Sequence, residues 1–240
     1  MSEPSPAPKI ETFPDRKVLA QACGEILGEA LNRRLCEGAE RARLMVTGGS
    51  SPVACYEALK DWPVDWSRVD VALTDDRFAP PDDPNSNEGL VRKHLLQGAA
   101  AAASLTPLWS DAGSPDAAAQ AAEPAIRALG RFDAVLLGVG PDGHICSLFP
   151  HNPESAEGLD PHASRLVIGV AKAGQPPYVP RITLTLPAIL NAGLAVVSAM
   201  TGFMPSFPIL FRPPRGSGPA SAPARAPPSP ACRRRPAPTL

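Results

Sequence analysis

The sequence predicts an α/β fold, an open and mostly parallel sheet with helices on both faces. Short runs rich in Val, Leu and Ile alternate along the chain with stretches whose apolar residues recur at helical spacing. Strands that alternate with helices imply a mostly parallel sheet covered on both faces. With 240 residues, 44% of them hydrophobic, the chain has enough apolar material for one full core.

Each element follows from a local signal. Residues 1–12 are rich in Pro and Ser and are expected to form a flexible N-terminus. From Asp15 to about Cys36, residues such as Leu19, Cys23, Leu27, Leu31 and Leu35 keep helical spacing, with Asp15 as the expected N-cap. Residues 43–47 (RLMVT) read as a strand that stops at Gly48-Gly49. Ser50 or Ser51 is then expected to cap a helix with Pro52 in its first turn, where a missing N–H costs nothing. Residues 69–73 (VDVAL) form the next strand, followed by a polar loop over 74–85 and a helix from about Ser86 to Leu96. Residues 104–108 read as a further strand. Ser114-Pro115-Asp116 opens an Ala-rich helix running toward Leu129, with Pro124 as the place for a kink. Residues 132–137 (FDAVLL) are the clearest strand, ended by the glycine-rich turn 138–143. Residues 165–170, 182–186 and 194–198 complete the series.

The last 38 residues, 203–240, differ in kind. They hold 11 of the 31 prolines and six Arg, with no Asp, Glu or Lys. Proline at that density removes backbone donors and opposes both helix and central strand. The segment is expected to be a disordered tail, or text read in a shifted frame, which in GC-rich DNA tends to be rich in Arg, Pro and Ala.

The net charge of −1 averages these two regions; residues 1–202 carry 17 basic against 24 acidic side chains, a balance of −7. An acidic body argues against nucleic-acid binding, which needs a surplus of Lys and Arg along a groove. No apolar run approaches the ~20 residues that cross a bilayer, and the first residues lack a secretory profile. Five dispersed cysteines without a C-x-x-C suit unpaired thiols in a reducing cytoplasm. The remaining histidines show no metal-ligand spacing, so neither a metal nor another cofactor is expected. A monomer is expected.

Four segments carry chemistry. In parallel sheets ligands sit beyond the carboxyl ends of the strands. Three predicted strands end there in polar loops, after Thr47, Leu73 and Leu137, so their residues should converge on one crevice. Gly48, Gly49, Ser50 and Ser51 form a turn whose N–H groups suit an anion at a helix start, or simply a tight connection. Asp75-Asp76-Arg77 offers a guanidinium fork for phosphate or carboxylate, or a surface ion pair. Gly138 to Pro150 delivers His144 from a run of glycines that includes Gly140 and Gly143, with Asp142 placed to fix its tautomer. Backbone N–H groups of the same turn are candidates for an oxyanion site. Arg181 leads a strand, either projecting into the crevice or flanking it.

Together these segments resemble the 6-phosphogluconolactonases, whose sugar-phosphate fold is shared with glucosamine-6-phosphate deaminases. The resemblance spans about residues 13–202 and rests on VTGGSSP, LTDDRF followed by SNEGLVRKHLL, LLGVGPDGHICSLFP and PPYVPRITLTLPAIL. The third is the most specific, because Ser-Leu-Phe-Pro after the histidine is the lactonase pattern. The resemblance implies a sugar-phosphate lactone substrate and hydrolysis of 6-phospho-D-glucono-1,5-lactone in the oxidative branch of the pentose phosphate pathway. It implies His144 as base with Asp142 beside it. Gly48–Ser51, Arg77 and Arg181 become substrate or phosphate contacts, with Asp75, Asn87, Gly140 and Gly143 in support. An aldose–ketose isomerase, an amino-sugar deaminase and an inactive sugar-phosphate-binding relic are the alternatives. The departures are Asp76, where relatives often carry Glu, and the stretch after Gly202, where a lysine-bearing helix and a last strand are expected and absent.

Overall fold

A computed structural model describes residues 9–199 and 207–211. The first long element is helix α1 (Arg16–Cys36), capped by Asp15, whose carboxylate accepts from the N–H groups of Lys17 and Val18 at 2.8 and 2.9 Å. That bond satisfies two of the donors a helix start leaves orphaned. Strand β2 (Ala42–Val46) lies at the middle of the main sheet, paired in parallel with β3 (Val69–Leu73) on one side and β6 (Ala134–Gly138) on the other. β5 (Ser104–Thr106) extends the sheet beyond β3, and β9 (Ala195–Ala199) extends it beyond β6, both in parallel. Leu44, Met45, Val71, Leu73 and Val135 are wholly buried there. Burial of such a side chain is worth about 1.5–3 kcal/mol, and it holds the centre of the sheet.

Helix α1 packs against β2, β6 and β9, and α2 (Val53–Leu59) packs on α1. Helix α3 (Asn87–His94) is capped by Ser86, and α4 (Pro115–Leu129) by Ser114. Pro124 lies inside α4 on its exposed side, where water can take the carbonyl that its missing N–H leaves free. Two short helices that the sequence did not signal, α5 (Ala156–Leu159) and α6 (Leu186–Leu190), follow later.

Three departures bear on the site. First, the predicted loop after β3 forms strand β4 (Asp75–Arg77), which pairs antiparallel with β8 (Arg181–Leu184); β7 (Val167–Val170) completes a separate three-stranded sheet. Helix α4 packs on that small sheet. Thr74 joins the two sheets: its N–H donates to Val46 of β2 at 2.8 Å, and its carbonyl receives the N–H of Leu184 at 2.8 Å. Second, Ser50 and Ser51 do not cap α2; Pro52 occupies the cap position and makes no side-chain cap bond. Third, β1 (Lys9–Ile10) and β10 (Phe207–Phe211) add two antiparallel strands beside β9, in segments where the sequence signalled no element. Pro208 lies outside the part of β10 that β1 pairs, the position a donorless residue tolerates. Residues 1–8 of the predicted flexible N-terminus, and the tail apart from β10, lie outside the described residues.

Cys23, Cys55 and Cys146 are buried free thiols, and burial pushes Cys23 up to about 11. Cys36, expected as a free thiol, is disulfide-bonded; it ends α1 on the exposed side, where a thiol is open to pairing. No helix among the described residues is long and apolar enough to cross a membrane.

Candidate active site

The chain runs outward from β2 through β3 to β5, then returns to β6 on the opposite side of β2. The reversal point lies between β2 and β6, and the crevice beyond it is where open α/β sheets bind ligands. The turns carrying Gly48–Ser51 and Gly138–Gly143 leave the carboxyl ends of these two neighbours.

Strand β6 ends in a tight turn in which Gly143 donates to the carbonyl of Gly140 at 3.0 Å and Gly140 donates to the carbonyl of His144 at 2.8 Å. Gly143 sits at φ +86°, a backbone region that L side chains seldom adopt. A Cβ on Gly140 would lie 2.1 Å from Cε1 of His144, so only glycine lets the imidazole lie over this turn. His144 Nδ1 stands 2.5 Å from Asp142 Oδ1. A carboxylate only accepts, so Nδ1 carries the proton and Nε2 keeps its lone pair. Desolvation raises the Asp142 carboxyl, but the ring and backbone N–H of His144 outweigh it and leave the group below the usual carboxylate range. Phe149 supports the ring from one side, centroid to centroid 4.8 Å. The imidazole side chain keeps 19% of its surface open, enough for water to reach it.

Two of the turn's N–H groups are not open to an oxyanion in this structure. Those of Gly140 and Gly143 are spent within the turn, so these glycines shape the backbone and admit the ring instead. We expect Gly140→Ala to push the imidazole off its place and lower kcat about tenfold, with a smaller change in KM, since small misplacements of a reacting group are costly. Steady-state kinetics checks this, and an unchanged kcat would remove the glycine from the site.

The other two motifs meet the first through buried polar contacts. Ser147, three residues past the histidine, donates to Asp75 Oδ2 at 2.7 Å, and its N–H donates to Thr183 of β8 at 3.2 Å. Asn87 donates its side-chain amide to the carbonyl of Asp75 at 2.9 Å and lies against Gly48, where any Cβ would collide with it. Asp76 accepts three backbone N–H bonds: Arg77 at 2.7 Å, Asn87 at 2.6 Å and Glu88 at 3.1 Å. Burial pushes its carboxyl up to about 7 against the pull of those donors. Asp75 and Asn87 therefore hold three segments together beneath the crevice.

Arg77 and Arg181 stand directly opposite each other across β4 and β8. Arg181 is 4% exposed, and burial, with Arg77 as a further cause, brings its guanidinium down to about 10. Like charges facing each other across a strand pair oppose folding. Neither guanidinium is tied up in an ion pair among the described residues. Arg77 spends Nη1 on the carbonyl of Asn85 at 2.6 Å, while its buried Nε has no partner among the described residues. Arg181 spends Nε and Nη2 on the carbonyls of Val179, at 3.1 Å, and Pro177, at 2.8 Å. The carbonyl of Gln175 also receives Arg181 Nη2 at 3.5 Å, and the Gln175 side chain reaches Asp142 Oδ2 at 3.2 Å. The arginine pair and the histidine thus belong to one connected cluster.

The Gly48–Ser51 turn is less tightly joined to it. None of its four backbone N–H groups donates to a partner among the described residues, and Gly49 sits at φ +87°. Ser50 and Ser51 line a cavity of about 190 Å³ with Arg16, Cys23, Cys55 and Ser198, whose wall includes neither His144 nor either arginine. Only Gly48, through Asn87, touches the network described above. Ser147, Thr183, Phe149 and Gln175 were given no role from the sequence, although Ser147 and Phe149 stand in the Ser-Leu-Phe-Pro pattern. A hydroxyl in a run bordered by Leu and Phe, and Thr alternating with aliphatic residues, were signals for the first two.

A family model described as glucosamine-6-phosphate isomerases/6-phosphogluconolactonase matches residues 14–203. The chain belongs to this family. A 6-phosphogluconolactonase of Caulobacter vibrioides is 43% identical over 189 residues, covering 79% of this chain and 81% of the relative. One from Mesorhizobium japonicum is 43% identical over 184 residues, with 75% of each chain covered. Among solved structures, a 6-phosphogluconolactonase of Shewanella baltica superposes with a TM-score of 0.73 at 33% identity, covering 78% of either chain. The family match ends before β10, so that strand lies beyond the shared segment.

Proposed function

We propose that the chain hydrolyses 6-phospho-D-glucono-1,5-lactone to 6-phospho-D-gluconate, with His144 as general base. The function is that of its named relatives, and the site residues add a mechanism. The observation that carries it is the connected cluster of one imidazole with a free Nε2 and two facing guanidiniums. The phosphate, a dianion, lies against Arg77 and Arg181, relieving their mutual repulsion and meeting the unspent donors of both. The N–H groups of Gly48–Ser51 are further phosphate donors on this reading.

The lactone carbonyl is thereby held near His144. A water that donates to Nε2 loses its proton to the ring as it attacks C1. Asp142 stabilises the imidazolium that forms, because its carboxylate already faces Nδ1. The tetrahedral intermediate then expels the ring oxygen, which takes the proton back from Nε2. General acid–base help of this kind is worth ~10²–10⁴-fold. The ester is already activated, so the residues named are sufficient for the step. We further assign the chain to the cytoplasm, as a monomer without nucleic-acid partners. Residues 13–202 form the catalytic domain on this reading.

The test is acid release from freshly prepared lactone in weakly buffered solution, beside an ammonia assay with glucosamine 6-phosphate. Rapid acid release without ammonia is expected. Ammonia without acid release would assign the site to a deaminase, and neither product would leave a binding relic.

A further inference from the structure

The loop between β7 and β8, residues 171–180, reaches both side chains that flank the base, Phe149 and Asp142, and also meets Arg181. Gly174 packs on Phe149, close enough that a Cβ would stand 3.0 Å from that side chain, and Phe149 in turn supports the His144 ring. The side chain of Gln175 donates from Nε2 to Asp142 Oδ2 at 3.2 Å. The main-chain carbonyl of Gln175 receives Arg181 Nη2 at 3.5 Å.

Asp142 Oδ1 accepts from the His144 ring at 2.5 Å and from the His144 backbone N–H at 3.3 Å, so both of these bonds hold one oxygen and leave rotation of the carboxylate to whatever holds Oδ2. Asp142 sits on an exposed turn with 28% of its side-chain surface open, so packing alone does not fix it. The bond from Gln175 occupies Oδ2 and leaves Oδ1 facing Nδ1 of His144. A neutral imidazole can carry its proton on either nitrogen, and only the form protonated at Nδ1 accepts a proton at Nε2. We infer that Gln175 is a positioning residue, holding Asp142 in the orientation that keeps His144 in its basic tautomer. The inference rests on the assignment of His144 as base. Gln175 touches no reacting atom.

Two variants of the full chain test it, measured beside His144→Ala. Gln175→Met keeps the length of the side chain and removes the donor; Gln175→Lys retains a donor. Loss of this partly exposed bond is expected to lower kcat about tenfold, as small misplacements of a reacting group do. KM for the lactone is expected to stay within about twofold, since binding energy common to ground and transition states is untouched. Imidazole ¹⁵N spectra should show His144 losing its Nδ1-protonated form in Gln175→Met, and Gln175→Lys should recover most of kcat. An unchanged kcat and ring spectrum in Gln175→Met, with His144→Ala inactive, overturns the role of Gln175 and leaves the base in place. A raised KM at constant kcat also overturns it, because the residue would then hold substrate instead. Should His144→Ala keep its turnover, the base assignment fails and this inference falls with it.

Discussion

Replacing His144 with alanine is expected to lower kcat by ~10²–10⁴-fold while KM for the lactone moves little. The expectation follows from what the ring touches. Its Nδ1 is committed to Asp142, its ring stands tilted against Phe149 and close over Gly140, and Nε2 is left as the ring nitrogen able to take a proton. Nothing in this arrangement assigns the ring to the phosphate, so its loss removes a transition-state contribution and spares ground-state binding. The measurement is acid release at a pH where the spontaneous reaction is slow, with that background subtracted. A loss confined to KM would make the imidazole a substrate contact. The exposed position of the turn argues that the variant folds, and a thermal melt verifies it.

The fold was legible because the sheet is built from locally unambiguous pieces. Residues 42–46, 69–73 and 134–138 are mainly apolar runs that call for cover on both faces, and their parallel order follows from the helical stretches between them. Asp15, Ser86 and Ser114 announced their helices because a capping oxygen is a local signal. Strand β4 was not legible. Asp75-Asp76-Arg77 has the composition of a loop, and it becomes a strand only because β8 arrives from more than a hundred residues away to pair with it. For the same reason the opposition of Arg77 and Arg181 could not be foreseen from either motif alone. Gln175 gave no signal, since the sequence surrounds it with Gly and Pro and its contact with Asp142 depends on how the loop returns. The Gly48–Ser51 turn shows the converse. Its glycines were read correctly as a turn after β2, but the structure joins only Gly48 to the network around Asp75.

Replacing Arg77 with methionine is expected to lower kcat/KM for the phosphorylated lactone about 10²-fold, chiefly through KM, since a charge-assisted bond to phosphate is worth about 1.5–3 kcal/mol. Methionine keeps an aliphatic stem of similar length and removes only the charge and its donors. Against unphosphorylated glucono-1,5-lactone the same variant should match the parent chain, because that substrate has no dianion for the arginines to hold. The comparison separates a phosphate role from a structural one. If Arg77 merely braced the loop through its bond to Asn85, both substrates would suffer alike. The folded state itself should respond in the opposite direction. Arg181 is buried and is held at about 10 by burial and by the neighbouring guanidinium, so removing that neighbour relieves a repulsion the empty site must otherwise bear. The thermal midpoint of Arg77→Met without ligand is therefore expected to equal or exceed that of the parent. Inorganic phosphate should raise the parent's midpoint and leave the variant's nearly unchanged. A variant that melts lower, and still responds to phosphate as the parent does, would place the anion elsewhere in the crevice.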